Sequence, residues 1–313
     1  MVRTGDQSLH REWLREGHLR NFDILISYYG TIAGRFQEEA DYYHEERGPK
    51  YPSLARLLIE NSELLSRYAF IAMPDDDLRA STQAWYYVFE ICKKFRLDLA
   101  QPSVTGHYYW PCVAQQTGKL LRFGNFVEIM TPVFSCSCLE TMAPFFKESV
   151  SGFGLDHLWG HLLTQPQHKL AIIDAVSVHH TRPPKTGILY DALKSQGVNA
   201  EAEDAYIRSK FQIPQTSYLE YMSIPLDLRA QVLGDIPLDS FNSSSIHGIE
   251  RLYWHTAKAK QIAARLQKEE LVVGDYQDRV KRSRIELEEA NKQLNTVIEE
   301  LGSGANAPAI LQH

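Results

Sequence analysis

Residues Tyr68 to Leu78 read YAFIAMPDDDL, an apolar run that stops at a proline and is followed by three aspartates. An apolar run that ends in a turn signal predicts a buried strand, which places the aspartates at its carboxyl end. Ligands bind at that edge in open α/β sheets. The alternative is an acidic loop that caps a helix beginning between Leu78 and Ser81, the commoner arrangement for so short a motif.

Strand and helix patterns alternate on both sides of this stretch. Phe22 to Tyr29 and Lys169 to Val178 are apolar and β-branched, and each predicts a strand. Leucines at near-helical spacing predict a helix from Ser53 that leads into Tyr68, and a second helix is predicted over Thr82 to Phe95. The alternation is typical of an α/β fold with a mostly parallel sheet flanked by helices.

The length and composition indicate a globular protein, either one large α/β domain plus an appendage or two domains. The chain has 313 residues, 44% of them hydrophobic, and a formal net charge of −6. This charge argues against a nucleic-acid binder driven by bulk charge. The sequence contains no apolar run long enough to span a membrane and no signal-peptide core, so we expect a cytoplasmic location, with attachment to the inner face of a membrane left open. The four cysteines predict reduced thiols.

Three clusters of chemically competent residues follow predicted strands or turns. Asp75 and Asp77, one residue apart, can both face a hard cation such as Mg²⁺ or Mn²⁺, which shares its shell with phosphates. Asp156 follows a glycine-containing turn in GFGLDHLWG, where it either caps a short helix or serves a substrate. His179 and His180 end the strand predicted over Lys169 to Val178. Each cluster alone has an ordinary structural explanation, but their joint occurrence favours a site.

The C-terminal third has a different character. Residues 186–257 mix short helical patterns with loops and predict an extension without obvious chemistry. Residues 258–301 predict a long helix, either a coiled coil between chains or a helix packed on its own domain, and residues 302–313 predict a disordered tail. The coiled-coil interpretation depends on a 3-4 spacing of small and apolar residues: Val273, Tyr276, Val280, Ser283, Leu287, Ala290, Leu294, Val297 and Leu301.

Six segments together resemble a known family. They are RTGDQSLH, FDILISYYG, FIAMPDDDL, FVEIMTPVFS, GFGLDHLWG and AIIDAVSVHHTRP. In this order they resemble a widespread family of unknown function that is grouped with GT-A-fold glycosyltransferases. The resemblance covers roughly residues 2–185, which would form the catalytic domain (1–185), and it implies a nucleoside-diphosphate-sugar fold, a divalent metal and glycosyl transfer.

The resemblance also implies roles for individual residues. It places metal-binding acids at Asp75, Asp76 and Asp77, and a histidine ligand at His179, with the neighbouring His180 leaving that assignment open. It places Asp156 beside the acceptor. The remaining positions that it implies, in the loop that would meet the nucleotide, are Arg3, Gly5 and Asp6.

The resemblance implies a metal-dependent glycosyltransferase in polysaccharide biosynthesis, and the chemistry of these roles is coherent with that activity. A cation held by Asp75 and Asp77 would neutralise the leaving diphosphate, and Asp156 would act as the base of an inverting reaction on a glycan or lipid-linked acceptor. If the reaction retains configuration, Asp156 would instead orient the substrate. Two alternatives stay open: a nucleotidyltransferase or sugar-nucleotide hydrolase on the same metal site, and a non-catalytic interaction protein that assembles through its C-terminal helix.

Overall fold

The computed structural model describes residues 1–163, 166–184, 186, 193, 195–214, 218–226, 285–293 and 295–296. The chain divides into two compact units, Met1–Leu226 and Asp227–His313. In the second unit the described residues are helical. The predicted boundaries at residues 185 and 257 and the predicted tail at 302–313 fall outside the described residues and stay predictions.

The first unit contains two sheets, which lie side by side. The strands are β1 (Val2–Thr4), β2 (Leu25–Tyr28), β3 (Tyr42–Glu45), β4 (Phe70–Ala72), β5 (Leu78–Arg79), β6 (Leu99–Gly106), β7 (Lys119–Gly124), β8 (Val133–Ser135), β9 (Leu170–His180) and β10 (Glu220–Pro225). The smaller sheet has the order β1-β2-β3 and is parallel. The larger has the order β10-β7-β9-β6-β8-β4, with β5 beside β9. A parallel bridge between Arg3 and Asp75 connects the two.

The larger sheet is mixed, because β6 and β9 run parallel while its other pairs are antiparallel. The helices are α1 (His10–Trp13), α2 (Lys50–Glu60), α3 (Ser62–Leu65), α4 (Thr82–Lys94), α5 (Cys136–Met142), α6 (Leu155–Leu162), α7 (Pro166–Lys169) and α8 (Ala200–Lys210). Single 3-10 turns occupy Gly17–Leu19, Gln37–Glu39, Pro111–Val113 and Ala143–Glu148. The predicted α/β fold, a sheet flanked by helices, is confirmed.

An aromatic cluster in the core fixes α2 against α6. The Tyr51 ring lies 5.7 Å from Trp159, and Phe134 of β8 lies 5.0 Å from Trp159, in edge-on or tilted geometry. All three side chains are buried. Burial of such large rings supplies much of the hydrophobic stabilisation of a core. The cluster therefore sets the positions of the first residues of α2 and α6, which face the site described below.

The structure differs from the prediction that the aspartates cap a helix beginning between Leu78 and Ser81. No helix begins at Leu78: Leu78 and Arg79 form β5, which pairs with His180 and His179 of β9. The following helix begins at Thr82, and Ser81 caps it by accepting a hydrogen bond from the Ala84 amide. The aspartates are therefore not the caps of this helix, and the interpretation of the motif as an acidic capping loop is wrong.

Residues 31–52 contain regular structure although the segment includes two glycines and two prolines. Tyr42–Glu45 forms β3 at the edge of the parallel sheet, and α2 begins at Lys50. Across the described part of the chain, none of the helices is both long and apolar enough to cross a membrane.

Candidate active site

The three aspartates lie where the two sheets meet. The Asp75 amide donates to the Met130 carbonyl at 2.8 Å, which continues the pairing of β4 beyond its last residue. On the other side Asp75 bridges to Arg3 of β1. The acids therefore follow the buried strand β4, as the sequence predicted. Residues 128–130 lie alongside them.

The aspartates line a cavity of about 170 Å³, which we name the acidic cavity. Its other acidic residues are Glu128 and Asp156, and His180 and Arg182 line it as well. Except for Arg182, these groups come from segments far apart in the sequence. The site thus brings together the first, second and third predicted clusters, together with residues that were not predicted.

Asp76 has a structural partner as well as a place in the cavity wall. The Gly5 amide donates to Asp76 Oδ2 at 2.9 Å. Burial raises the pKa of Asp76 to about 7. The structure therefore brings these two predicted residues together through a hydrogen bond from the Gly5 backbone, which holds the Asp76 side chain.

Arg3 and Asp6, predicted to meet the nucleotide, lie in different places. Arg3 is buried at the cavity wall, where its guanidinium donates to Ser27 Oγ and to the carbonyls of Glu46 and Gly48. Asp6 does not line the acidic cavity; it accepts hydrogen bonds from the Thr31 amide and hydroxyl at 3.0 and 2.8 Å. Asp6 shapes a neighbouring depression that shares Arg182 with the acidic cavity.

His180, and not His179, faces the aspartates. His180 Nε2 lies 3.4 Å from Asp77 Oδ2, and its Nδ1 lies 2.7 Å from the His107 carbonyl oxygen. His179 is exposed, with Nδ1 3.3 Å from Thr105 Oγ1. Successive side chains on a strand point to opposite faces, so only one of the pair can reach the cavity. The resemblance preferred His179, but His180 is the histidine that faces the acids; which of the two binds a metal stays a prediction.

Cationic side chains of the protein already neutralise part of this acidic cluster. Lys50, at the start of α2, is nearly buried and donates from Nζ to Asp75 Oδ1 at 2.6 Å and to the Ile129 carbonyl at 2.9 Å. Arg182 Nε lies 3.7 Å from Asp77 Oδ2. Sequence patterns did not single out either residue, because a lone lysine or arginine at a helix start or strand end is common on protein surfaces.

The donor set next to Asp77 fits a divalent cation. Asp77 Oδ1 is buried and has no hydrogen-bond partner among the residues that the structure describes. The other carboxylate oxygen of Asp77 faces His180. Carboxylate oxygen and imidazole nitrogen are ligands that Mn²⁺ accepts, and oxygen ligands suit Mg²⁺. Asp77, His180 and Asp75 are therefore the residues that would hold a cation, with Asp75 released from Lys50.

A second group of three has closer ligand spacing. In the part of the chain that the structure describes, one candidate ligand atom from each of Asp156, His157 and Asp204 lies within 4.8 Å of the others. Arg208 already supplies a cation there: its Nε donates to Asp204 Oδ2 at 2.9 Å, and its terminal nitrogen contacts His157 Nε2. Because a guanidinium keeps its charge, this cluster is an internal ion-pair network.

Asp156 is buried in the first turn of α6. Its Oδ1 accepts from the His157 amide at 2.9 Å, while the residue that caps α6 is Gly154 in the left-handed region. Burial raises the pKa of Asp156 to about 7. A carboxylate that is half-protonated near neutral pH and lines a cavity has the properties of a general base or acid.

Glu128 is the principal residue that sequence reasoning missed. It is 4% exposed, and within the described part of the chain its Oε2 has no hydrogen-bond partner. Burial, and after it the charge of Asp156, raises the pKa of Glu128 to about 8, while a hydrogen bond from the Tyr109 backbone opposes the rise. The available signal was a single acid inside the apolar segment FVEIM, which predicts either a buried functional group or an edge residue.

No family model matches the chain, and no curated protein does. One similar solved structure is TarS 1–349 from S. aureus in complex with UDP, at 12% identity and a TM-score of 0.39, covering 98% of this chain and 92% of that one. Against the longer TarS chain the match covers 96% of this chain but 54% of that one, at the same identity and TM-score.

Another similar structure is the mannosyltransferase PcManGT from Pyrobaculum calidifontis in complex with GDP-Man and Mn²⁺. It is 12% identical, with 95% of this chain and 82% of that chain covered and a TM-score of 0.42. A197 from STIV is 13% identical over 58% of this chain and 83% of that one, with a TM-score of 0.33. Values this low carry no inference about activity, and membership of the resembled family stays a prediction.

Proposed function

We propose that the chain is a metal-dependent glycosyltransferase that moves a sugar from a nucleoside-diphosphate sugar to a glycan or lipid-linked acceptor with inversion of configuration. One observation carries the proposal: a single cavity is lined by the strand-end acids, by His180 beside them and by buried Asp156. Inverting glycosyl transfer needs both a group that neutralises the leaving diphosphate and a base for the acceptor, and this cavity contains a candidate for each.

On the donor side, the residues of the acidic cavity would bind the diphosphate. A cation held by Asp75, Asp77 and His180 supplies Lewis-acid neutralisation of phosphate charge. Lys50 and Arg182 add positive charge at the same wall. Arg3 holds the Glu46 and Gly48 carbonyls and so fixes the loop after β3 that adjoins this wall.

On the acceptor side, Asp156 would take the proton of the attacking hydroxyl. The acceptor oxygen bonds to the anomeric carbon, the proton passes to the Asp156 carboxylate, and the bond from that carbon to the diphosphate breaks with its electron pair. A base must be ionised, so the raised pKa of Asp156 predicts that transfer increases as the pH rises through about 7 and levels off above it.

The first test is a screen of nucleotide sugars by thermal shift with and without Mn²⁺, because a ligand that binds only the folded state raises apparent stability. We expect at least one UDP- or GDP-sugar to raise the melting temperature only when Mn²⁺ is present, and incubation with acceptor to release the nucleoside diphosphate. Release of pyrophosphate or of a nucleoside monophosphate would instead identify a nucleotidyltransferase or a hydrolase.

The second test is Asp156→Asn. Asparagine keeps the size and a hydrogen-bond acceptor for the His157 amide but cannot accept the proton, so we expect near-parental melting temperature and donor affinity with transfer reduced on the order of 10²-fold or more. Near-normal turnover would remove Asp156 as the base. A product that retains the donor's anomeric configuration would remove the inverting mechanism.

A further inference from the structure

We propose that Glu128 and Asp156 form an acceptor subsite for a neutral pyranose, with Glu128 Oε2 binding a hydroxyl next to the one that reacts. The statement that one hydroxyl of this sugar reacts rests on the proposed function. The binding of the sugar by the two carboxyl groups does not. It narrows the acceptor from a glycan or lipid-linked molecule to an uncharged sugar ring that presents neighbouring hydroxyls to two carboxyl groups.

The first argument is the unsatisfied oxygen of Glu128. A buried polar atom without a partner costs about 1–3 kcal/mol, so nearly all such atoms in folded proteins have one. Glu128 lines the acidic cavity, and its buried Oε2 has no hydrogen-bond partner among the described residues. The Tyr109 backbone amide bonds the same carboxyl group, which leaves Oε2 for a group that enters the cavity.

The second argument is the aromatic wall beside the two carboxyl groups. Tyr109, Trp110 and Phe153 all line the cavity. The Tyr109 ring lies 5.0 Å from Trp110 and 5.7 Å from Phe153, edge-on in both cases. Aromatic faces accept the apolar C–H surface of a pyranose while carboxyl groups accept its hydroxyls, so this wall suits a sugar better than a flexible apolar chain.

The third argument is charge. Lys50 and Arg182 pair with Asp75 and Asp77. Asp156 raises the pKa of Glu128, so these two carboxyl groups interact, and Arg208 is engaged with Asp204. A phosphate or a uronic acid bound by both Glu128 and Asp156 would face two acidic groups, so we expect the acceptor at this position to be uncharged.

Glu128→Ala and Glu128→Gln separate recognition from packing. We expect binding of a neutral methyl pyranoside, followed by ligand-observed NMR with UDP or GDP and Mn²⁺ present, to weaken at least ten-fold in Glu128→Ala. Glutamine keeps an acceptor oxygen and a donor at the same place, so Glu128→Gln should stay within about three-fold of the parent. Glu140→Gln, on the exposed side of α5, is the matched control and should not differ from the parent.

Removing the hydroxyl from the ligand tests the same contact without a protein variant. The probes are α- and β-methyl glycosides of gluco, galacto and manno configuration, their singly deoxygenated analogues and the corresponding uronates. For a pyranoside that binds, one of its deoxy analogues should bind the parent protein at least ten-fold more weakly than the pyranoside does. The same analogue should bind Glu128→Ala about as well as the pyranoside does. The uronates should not bind.

The outcomes keep this inference distinct from the proposed function. Nucleoside-diphosphate binding in the same samples, followed by calorimetry with Mn²⁺, tests the donor site alone. If a pyranoside binds in a Glu128-dependent way but no nucleotide binds, the sugar subsite is supported and the proposed transferase function is rejected. Nucleotide binding with no pyranoside bound, with uronates preferred, or with equal affinity in the parent and Glu128→Ala, would overturn the subsite.

Discussion

At the level of one residue, the buried carboxyl group of Glu128 lowers the free energy of unfolding when the pH is near neutral. Its carboxyl group is buried with one oxygen unpaired, and burial raises its pKa to about 8 from an ordinary value near 4.5. Below the ordinary value both folded and unfolded chains carry the proton. As the pH rises toward about 8, the unfolded chain loses the proton first, so Glu128 lowers the free energy of unfolding progressively.

We therefore expect Glu128→Gln to be more stable than the parent, by a margin that grows between pH 5 and pH 8. The slope of the margin is up to about 1.4 kcal/mol per pH unit, the free energy of one unit of pKa difference. Urea denaturation of both proteins at the two pH values measures it, with Glu140→Gln as the exposed control. A margin that is the same at both values would mean that Glu128 is ionised in the folded protein.

The histidine pair gives a second prediction at this scale. His180 Nε2 faces Asp77, whereas His179 is exposed beside Thr105. We expect His180→Ala to weaken Mn²⁺-dependent binding of a nucleoside diphosphate at least ten-fold, because one ligand of the cation is lost. His179→Ala is the matched control and should bind as the parent does. Isothermal calorimetry decides, and loss with His179→Ala alone would restore the assignment made from sequence.

At the scale of the secondary-structure elements, α8 holds the loop that presents Asp156. Glu203 of α8 accepts hydrogen bonds from the amides of Val150 and Ser151, both at 2.8 Å. Gly154, which begins α6, lies directly against the same helix: a Cβ added to it would be 3.1 Å from Asp204 Cα and 3.0 Å from Ile207 Cβ. The position of Asp156 is therefore set by the fit between α6 and α8.

Gly154→Ala tests this fit, and Gly118→Ala is its control. Both glycines have positive φ, +88° and +82°, but a Cβ on Gly118 would meet nothing within 4 Å. The left-handed conformation costs each alanine variant about 1–2 kcal/mol. Contact with the α8 backbone should cost Gly154→Ala about 1–3 kcal/mol more.

Chemical denaturation measures the difference, and transfer rates should fall in Gly154→Ala alone because Asp156 shifts. Equal losses of stability in the two variants would show that α6 and α8 tolerate a wider separation. In that case the placement of Asp156 would not depend on α8.

The elements also show how far sequence patterns reach. The alternation of apolar runs predicted the helix over residues 82–94 and the strand ending at His180 within two residues. Such predictions succeed because burial of one face determines the local spacing of apolar residues. The face that each histidine takes was not predictable, because it depends on the register of β5 against β9. Glu128 and Lys50 meet the aspartates only through contacts between distant segments, which local spacing does not record.

At the scale of the molecule, the first compact unit extends past the region of family resemblance. Helix α8 supports the Asp156 loop, and β10 pairs with β7 at the edge of the larger sheet. Both elements follow residue 185. A catalytic domain that ended there would lose the partner of α6 and would leave the β7 edge open.

The C-terminal helix carries the remaining prediction. Among residues 285–293, all of them described, Leu287 and Ala290 are the two that are not exposed, and both are seam positions of the predicted heptads. The pattern therefore corresponds to one covered face of a helix. Ser283, a small polar residue at another seam position, is a less favourable core residue than leucine or isoleucine, so the association is expected to be modest.

We expect the full chain to give a mass above that of the monomer by light scattering, in a concentration-dependent way. A chain that ends at residue 272 should give the monomer mass, because it lacks all of the seam positions from Val273 onward. The shorter chain should keep the parental melting temperature and nucleoside-diphosphate affinity, since the acidic cavity lies wholly within Met1–Leu226. A monomer mass for both chains would show that the covered face packs within its own chain, and the heptad spacing would then describe an intramolecular contact.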